Sequence, residues 1–333
     1  MSPSARQRRA AWLAWSVQTL VLLLLAAGVA WLVNHALEVL RARGVRSGFD
    51  FLLQPAGFQI AEGWVDFEAD QPFWRAFLAG LVNTVRVAVP AAMLAVVLGV
   101  LLGIGRLAPH ALVRALCGLY VETVRNIPLL VQLLMAYFML TQLLPDAADA
   151  LHPLPGLWLS KSGLSFPWPV WEQGAWLPSS FEWPERSTFN VSGGAAVTPE
   201  YLAVLLTLGL YTASFVAEIV RAGIQSVTAG QVNAAMALGL SPGQRLRLVV
   251  LPQALRVIVP SLTNQLLNLT KNSSLAVAVG YPELVSVANT SMSQTGRAFE
   301  CIAVLMAVYL CISLLISLAM NRYNARVALR GWQ

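Results

Sequence analysis

Residues 231–252 read QVNAAMALGLSPGQRLRLVVLP, a short basic segment between two long apolar stretches. The first half is rich in small residues, which let a short helix seat closely against another protein. Gly239 permits a tight turn after that helix, where a Cβ atom would cost energy. The arginines that follow suit contact with water. The segment therefore predicts a shaped element outside the membrane, between two membrane spans.

The composition of the whole chain is that of an integral membrane protein. Of its 333 residues, 57% are hydrophobic and only 11% are charged, and the mean hydropathy is +0.64. Soluble domains carry about a quarter charged residues. The net charge of +6 is interpreted as an orientation signal for loops, because no basic patch interleaved with aromatic residues indicates nucleic-acid binding.

Six apolar stretches are long enough for a membrane helix, which needs about 20 residues. They cover roughly 11–33, 74–105, 111–144, 201–226, 254–280 and 298–320. The first is interpreted as a retained anchor, because its apolar run is too long for a signal peptide and no clean small-residue cleavage site follows. The third contains Pro128, which predicts a break. We predict an all-α membrane protein with about six transmembrane helices.

The distribution of charge predicts that both termini are cytoplasmic. With the N-terminus inside, the inside windows hold eleven Arg or Lys residues and no acid, whereas the longer outside windows hold six basic residues. This positive-inside bias supports six spans. The predicted organisation is a cytoplasmic tail with an extra helix, a periplasmic segment, a membrane core and a second cytoplasmic tail. Their ranges are 1–36, 37–73, 74–320 and 321–333, and the core contains a periplasmic insert at 145–199 and a cytoplasmic loop at 227–253.

The insert 145–199 is rich in Pro and Trp, and its tryptophans are Trp158, Trp168, Trp171, Trp176 and Trp183. Tryptophan favours the membrane–water interface. We therefore predict a loop that lies on the outer surface, and the alternative is a lip that meets a soluble partner.

No catalytic, metal or cofactor site is predicted. Cys117, Cys301 and Cys311 lie in apolar stretches without CxxC spacing. This favours small buried hydrophobic residues over a disulfide or a metal site. The histidines are scattered and form no metal-ligand pattern. No GxxxxGK[ST] loop is present, so ATP binding by that route is not expected.

The spacing within residues 231–252 resembles the EAA loop of ABC importer permeases. That pattern reads E-A-A, three residues, G, nine residues and I-x-L-P, and the matching residues here are Asn233, Ala234, Ala235, Gly239 and Val249-Val250-Leu251-Pro252. Asn233 stands where the pattern has Glu, so it keeps capping and hydrogen-bonding capacity but lacks the charge for an ion pair. In the family this helix docks on the ATP-hydrolysing subunit and transmits its closure. The alternative is an ordinary loop with an Ala-rich turn.

Further stretches resemble the polar amino-acid branch of these permeases: YVETVRNIPLLVQ (120–132), GLYTASFVAEIVRAGIQSV (209–227), LPQALRVIVPSLTNQLLNLTKNSSLAVAVGYPELV (251–285) and SQTGRAFE (293–300). SGFDFLLQPAGFQIAEGW (47–64) and GLVNTVRVAV (80–89) resemble the general L-amino-acid importer subgroup. The resemblance implies a type I ABC importer permease core, formed by five of the six helices, in the bacterial inner membrane. The implied partners are a second homologous permease, ATP-binding cassette subunits and a periplasmic amino-acid-binding protein.

Polar residues in the span 254–280 are candidates for lining a substrate path. Asn264, Asn268, Lys271 and Ser274 follow i, i+4, i+7 and i+10, which places them on one face of an unbroken helix. Such a stripe lines a water-filled path or bonds to neighbouring helices, and an ionisable group in a span is a functional candidate. Lys271 is suited to the carboxylate of an amino acid. Alternatively, it pairs with a carboxylate of the protein or caps helix ends.

Two i, i+3 pairs of opposite charge, Glu122 with Arg125 and Glu218 with Arg221, are able to neutralise themselves locally. A structural role is favoured for the second pair. The first pair and Gln132 remain path candidates, because the nearby proline should break the helix. Backbone groups exposed by a break in a membrane helix are tolerated only against protein or a cavity.

These features predict the translocation subunit of an ATP-driven importer of L-amino acids, with ATP hydrolysis on a separate subunit. An ion-coupled secondary carrier is the alternative, although the EAA-like loop has no role in it. A membrane-embedded enzyme is a third possibility, against which the lack of a catalytic constellation counts. The residues leave open which amino acids are carried and whether this chain or its partner permease holds the substrate pocket.

Overall fold

The computed structural model describes residues 5–42, 48–171, 178–187 and 190–329, and the architecture is mostly helical. The ends of the predicted tails, 1–4 and 330–333, and Trp176 lie outside the described residues. The α-helices are α1 Ala5–Ala42, α2 Phe73–Gly105, α3 Ala111–Asn126, α4 Leu129–Phe138, α5 Pro199–Gln225, α6 Ala229–Ala237, α7 Pro242–Arg245, α8 Leu251–Asn272, α9 Leu284–Thr295 and α10 Ala298–Leu329.

Within the described residues, five helical stretches are long and apolar enough to cross a membrane. They lie at Trp15–Leu32, Phe73–Gly105, Pro199–Gln225, Pro242–Val279 and Ala298–Ala325. A sixth is formed by α3 and α4 together, if this pair, bent by 102°, counts as one span. The prediction of a helical membrane protein with about six spans is confirmed.

The break predicted from Pro128 is also confirmed, since α3 and α4 are separated by Ile127 and Pro128. Proline disfavours the helical conformation for the residue before it, and Ile127 has φ −97° and ψ 132°. In a continuous helix the carbonyl of Val124 would accept from the N–H of residue 128, which proline lacks. Gln132 Nε2 donates to that carbonyl at 2.8 Å and to the carbonyl of Ile127 at 2.9 Å.

The contact between α2 and α5 forms the centre of the membrane region. A Cβ atom added to Gly99 would lie 2.5 Å from Cβ of Val216, and one added to Gly103 would lie 2.7 Å from the carbonyl oxygen of Ala217. The two glycines are four residues apart and therefore share one face of α2. Small residues with this spacing let two membrane helices approach closely. Because α6 follows α5 directly, this packing also positions α6.

The first part of α2 supports a separate segment, residues 48–72. A helix of 33 residues extends about 50 Å, whereas the hydrocarbon core of a bilayer is about 30 Å thick. Residues 48–72 pack beside the first turns of α2 and against α9, and they begin with a 3-10 helix at Phe49–Leu53. Phe51 and Phe73 are buried there, edge to face, with their ring centroids 5.5 Å apart.

An ion pair ties the segment 48–72 to the start of α10. Arg297 is almost fully buried and contacts the carboxylate of Asp50, with Nη2 3.0 Å from Oδ2. Glu300 accepts a hydrogen bond of 2.7 Å from the backbone N–H of Gly48. Two of the stretches that resemble the permease family, 47–64 and 293–300, are therefore in direct contact. Glu300 lies at this internal interface.

The insert, which was predicted to be a loop, folds into short strands. A four-stranded antiparallel sheet has the order β1-β2-β3-β8, and β4–β5 and β6–β7 form two-stranded sheets. Trp158 Nε1 donates to the carbonyl of Pro184 at 3.0 Å, and Trp168, Trp171 and Trp183 are exposed. The strands are β1 Leu151–Leu154, β2 Leu157–Ser160, β3 Gly163–Phe166, β4 Trp168–Val170, β5 Ser180–Glu182, β6 Glu185–Arg186, β7 Val191–Ser192 and β8 Ala195–Val197.

Candidate functional site

The first half of the EAA-like segment is a short helix, α6, that ends in a left-handed turn. Gly239 has φ +76°. Its N–H donates to the carbonyl of Met236 at 2.9 Å, and the N–H of Leu240 donates to the carbonyl of Ala235 at 3.1 Å. This pair of bonds is the Schellman arrangement, which satisfies the last carbonyls of a helix. The tight turn predicted at Gly239 is therefore present.

The second half is helical and continues into a membrane span. Ser241 and Gln244 form a reciprocal capping box at the start of α7, which stabilises a helix N-terminus. A π-turn at Leu246–Val250 joins α7 to α8. Pro252 has no N–H to donate to a carbonyl one turn earlier in the helix. The π-turn, which is wider than an α-helical turn, lies directly before it. The helix α7, the π-turn and α8 therefore form one continuous helical stretch.

The matching residues of this segment are mostly exposed. Ala235 is buried against the chain, whereas Asn233, Ala234, Gly239 and Leu251 are exposed and Pro252 is half-buried. Asn233 lies in the middle of α6, so it does not cap the helix, and its side chain makes no hydrogen bond within the described residues. The capping capacity considered for this residue is not used here. Asn233 and Ala234 instead belong to the outward surface of α6.

The polar stripe of α8 lies on a surface that no other described part of this chain covers. Asn264, Asn268 and Lys271 are exposed, and Ser274 is half-buried. Lys271 makes no ion pair among the described residues and lies in the last turn of α8, where the helix dipole favours a cation. The alternative in which Lys271 pairs with a carboxylate of its own chain is not observed within the described residues.

The helix that carries this stripe is not unbroken over 254–280. The α-helix ends at Asn272, and a 3-10 helix covers Ser273–Val279. Ser274 therefore departs from the α-helical face assumed for it, and its hydroxyl donates to the carbonyl of Lys271 at 2.7 Å. In a 3-10 helix the residues turn faster, at three per turn, so the spacing i+10 no longer defines the face.

The expected pairing of Glu122 with Arg125 is wrong. Glu122 Oε1 lies 3.4 Å from Nη2 of Arg106, and the guanidinium of Arg125 lies over the ring of Phe215 at 5.0 Å. Arg106 comes from the end of α2 and is close in space although it is 16 residues away. Both side chains of the expected pair are exposed.

The second i, i+3 pair is confirmed, because Glu218 and Arg221 are in contact. Arg106 also contacts Glu218, and it therefore bridges Glu122 of α3 and Glu218 of α5. This charge network holds α2, α3 and α5 together where α5 approaches α6.

Gln132, another path candidate, donates hydrogen bonds to the carbonyls at the helix break and supports the bend.

A cluster around Arg86 was not predicted from the sequence. Arg86 Nη1 lies 3.4 Å from Oε1 of Glu62, and the guanidinium is 4.8 Å from the ring centroid of Tyr201. Thr198 donates to Glu62 at 2.6 Å. Burial raises the pKa of Glu62 above its ordinary value, although Thr198 and Arg86 act in the opposite direction. An arginine within the stretch 74–105 was the available signal, since charged residues in spans are rare.

No group of three or more His, Cys, Asp and Glu side chains that could hold a metal is found in the described part of the chain. A cavity of about 310 Å³ opens at the segment 48–72 and is lined by Gln54, Gln294 and Arg297 among others. Its cationic residue is already paired with Asp50.

A family model described as "Binding-protein-dependent transport system inner membrane component" matches residues 95–330. The chain is 38% identical to the general L-amino acid transport system permease protein AapQ of Rhizobium johnstonii, over 95% of this chain and 92% of that protein. It is 39% identical to the putative amino-acid ABC transporter permease protein YhdX of Escherichia coli, over 95% and 94% of the two chains.

Solved structures show the same fold. A chain from the crystal structure of an amino acid ABC transporter with histidines is 25% identical and has a TM-score of 0.56, with 76% of this chain and 95% of that chain covered. A chain of the MetNI methionine ABC transporter in an inward-facing conformation is 17% identical and has a TM-score of 0.51, with 76% and 97% covered. This second likeness concerns the fold alone.

Proposed function

The chain belongs to the family of inner membrane components of binding-protein-dependent transport systems, and from this membership we propose that it is the translocation subunit of an ATP-driven importer of L-amino acids. It is a multi-pass protein of the bacterial inner membrane. The substrate class follows the names of its relatives, among them a glutamate/glutamine/aspartate/asparagine transport system permease of Rhodobacter capsulatus, which is 35% identical over 95% of this chain.

The observation that carries the proposal is the geometry of residues 229–252. An exposed helix, α6, is joined through a glycine turn to α7, and α7 continues through a π-turn into α8. Closure of an ATPase subunit that holds α6 therefore moves α8 as part of one body, a rigid-body coupling. ATP binding and hydrolysis on that subunit supply the free-energy difference between outward- and inward-facing states.

The polar face of α8 is the proposed wall of the substrate path. Asn264, Asn268 and Lys271 are exposed on this chain, and charged side chains in a membrane face a water-filled cavity or another protein rather than lipid. A second, homologous permease would enclose this face. Lys271 then offers a cation to the carboxylate of an amino acid, and the two asparagines offer both donors and acceptors.

The remaining assignments place each element relative to the membrane. We propose that both termini are cytoplasmic, with 1–36 as a tail and extra helix and 321–333 as a tail. Residues 37–73 and the insert 145–199 are periplasmic, and the binding protein delivers the substrate from that side. The core 74–320 carries the cytoplasmic coupling loop 227–253, which engages a separate ATP-binding cassette subunit. In this scheme the chain itself is not an enzyme.

The test is ATP hydrolysis by the reconstituted complex of this chain, its neighbouring permease, the ATPase subunits and the binding protein. Hydrolysis should rise with binding protein that is loaded with an amino acid, but not with the empty protein, and the effective amino acids identify the substrates. Uptake driven by an ion gradient without any ATPase would instead establish the secondary carrier and contradict the proposal.

A further inference from the structure

The coupling loop 227–253 has an unusual charge distribution. The inference drawn from it rests on the proposed function. No Asp or Glu occurs between Glu218 and Glu283, whereas Arg245, Arg247 and Arg256 all fall within that interval. The EAA pattern supplies a carboxylate from the permease, but Asn233 replaces it here. The proposed coupling loop 227–253 therefore carries cations without any anion of its own.

Two of these arginines, Arg245 at the end of α7 and Arg247 in the π-turn, have no carboxylate partner within the described residues. Arg245 is half-buried, and its Nε atom is buried without a hydrogen-bond partner. Arg247 is exposed, and neither guanidinium forms an ion pair within the described residues. By contrast, Arg106 and Arg221, near the inner ends of α2 and α5, both contact Glu218.

Apolar side chains surround these arginines. Leu246 and Leu248 are 53% and 60% exposed, and Met236 and Leu238 of α6 are 47% and 81% exposed. Exposed apolar side chains grouped in this way indicate an interaction surface. Docking of that surface removes water from the neighbouring guanidinium groups, and removing water from an unpaired charge is costly unless the partner supplies the opposite charge.

We propose that the ATPase groove that receives α6 and α7 presents Asp or Glu side chains to Arg245 and Arg247, beside an apolar floor for the leucines. The permease then contributes the cations of this contact and the ATPase contributes the anions, the reverse of an arrangement built on a permease glutamate. The planar guanidinium donates two parallel hydrogen bonds to a carboxylate, which also fixes the orientation of the docked helix.

The test measures the affinity of the ATPase subunit for the permease pair in nanodiscs of phosphatidylcholine, a lipid without net charge. The Arg245→Glu/Arg247→Glu double variant should bind at least about tenfold more weakly at 50 mM salt, because each close interfacial charge pair contributes strongly. Its affinity should also lose most of the salt dependence of the wild type. Arg322→Glu is the matched control for the single Arg247→Glu variant, since both make the same charge change at an exposed position and Arg322 lies on α10.

A rescue experiment identifies the partner carboxylates. Changing groove Asp or Glu residues of the ATPase to Lys should restore binding of the Arg247→Glu variant and weaken binding of the wild type. Failure of every such substitution to restore binding would overturn the charge assignment. Equal weakening by Arg322→Glu would also overturn it, because general electrostatic attraction would then explain the effect.

The outcomes separate this inference from the proposed function. The double variant could bind as the wild type does while Gly239→Val, which strains the turn, abolishes stimulated ATP hydrolysis. In that case the importer assignment stands and the charge inference fails. If the wild-type permease pair binds no ATPase at all, the proposed function fails and the inference fails with it.

Discussion

Gly239 is the position at which the coupling role can be tested most sharply. Its φ is +76°, and a Cβ atom added to it meets nothing within 4 Å. A side chain there is opposed by backbone strain and not by crowding. The left-handed conformation costs an L-residue about 1–2 kcal/mol, and a β-branched residue fits it worst. Gly239→Val should therefore lower the equilibrium constant for the native turn about 5- to 30-fold.

The assay is stimulated ATP hydrolysis by the reconstituted complex, measured beside uptake and the amount of permease in the membrane. We expect Gly239→Val to insert normally and to lose most of the stimulation, because α6 no longer holds its angle to α7. Gly239→Asn should retain most of it, since Asn tolerates the left-handed region. Gly243→Ala is the control, because Gly243 also has open space around it but lies within α7. Wild-type coupling in Gly239→Val, or equal losses in the Asn and Val variants, would refute the reasoning.

Three further predictions concern the path, the helix break and pH. Lys271→Met should reduce the uptake rate more than the abundance of the protein, and equal losses would assign Lys271 a structural role instead. Gln132→Leu leaves the carbonyls at the break without their donor, so stability should fall by about 1–3 kcal/mol; thermal unfolding in detergent checks this, and an unchanged melting temperature contradicts it. Burial raises the pKa of Glu283 from 4.5 to about 7, so the folded state holds its proton at higher pH than the unfolded chain. The free energy of unfolding should then decrease as pH rises from about 4.5 to about 7. Melting curves at pH 5, 6 and 7.5 should show this decrease in the wild type and a flatter profile in Glu283→Gln.

Local chemistry made several features predictable. The spans follow from the length and apolarity of the stretches, because a bilayer tolerates little else. The break in the third span follows from the missing N–H of Pro128, and the turn at Gly239 follows from the absence of a Cβ atom. Each of these depends on a few consecutive residues, so their sequence is sufficient.

Partners across the fold were not predictable in the same way. Glu122 was expected to pair with Arg125, its neighbour one turn away, but α2 brings Arg106 close enough to take that place. Likewise, Arg86 meets Glu62 from a segment 24 residues earlier in the chain. Opposite charges three residues apart are able to meet on a helix, but the packing of other helices decides whether they do.

The sequence by itself determined that this chain spans a membrane about six times, where one span breaks, and which segment resembles a coupling loop, because hydrophobic length, proline chemistry and residue spacing act locally. Only the structure decided that α7 continues into α8, that Ser274 leaves the α-helical face, and that the segment 48–72 is tied to α10 by Asp50 and Arg297. The first two are details of backbone geometry that residue spacing does not specify. The third depends on a contact between residues far apart in the chain, which forms only where the fold brings them together.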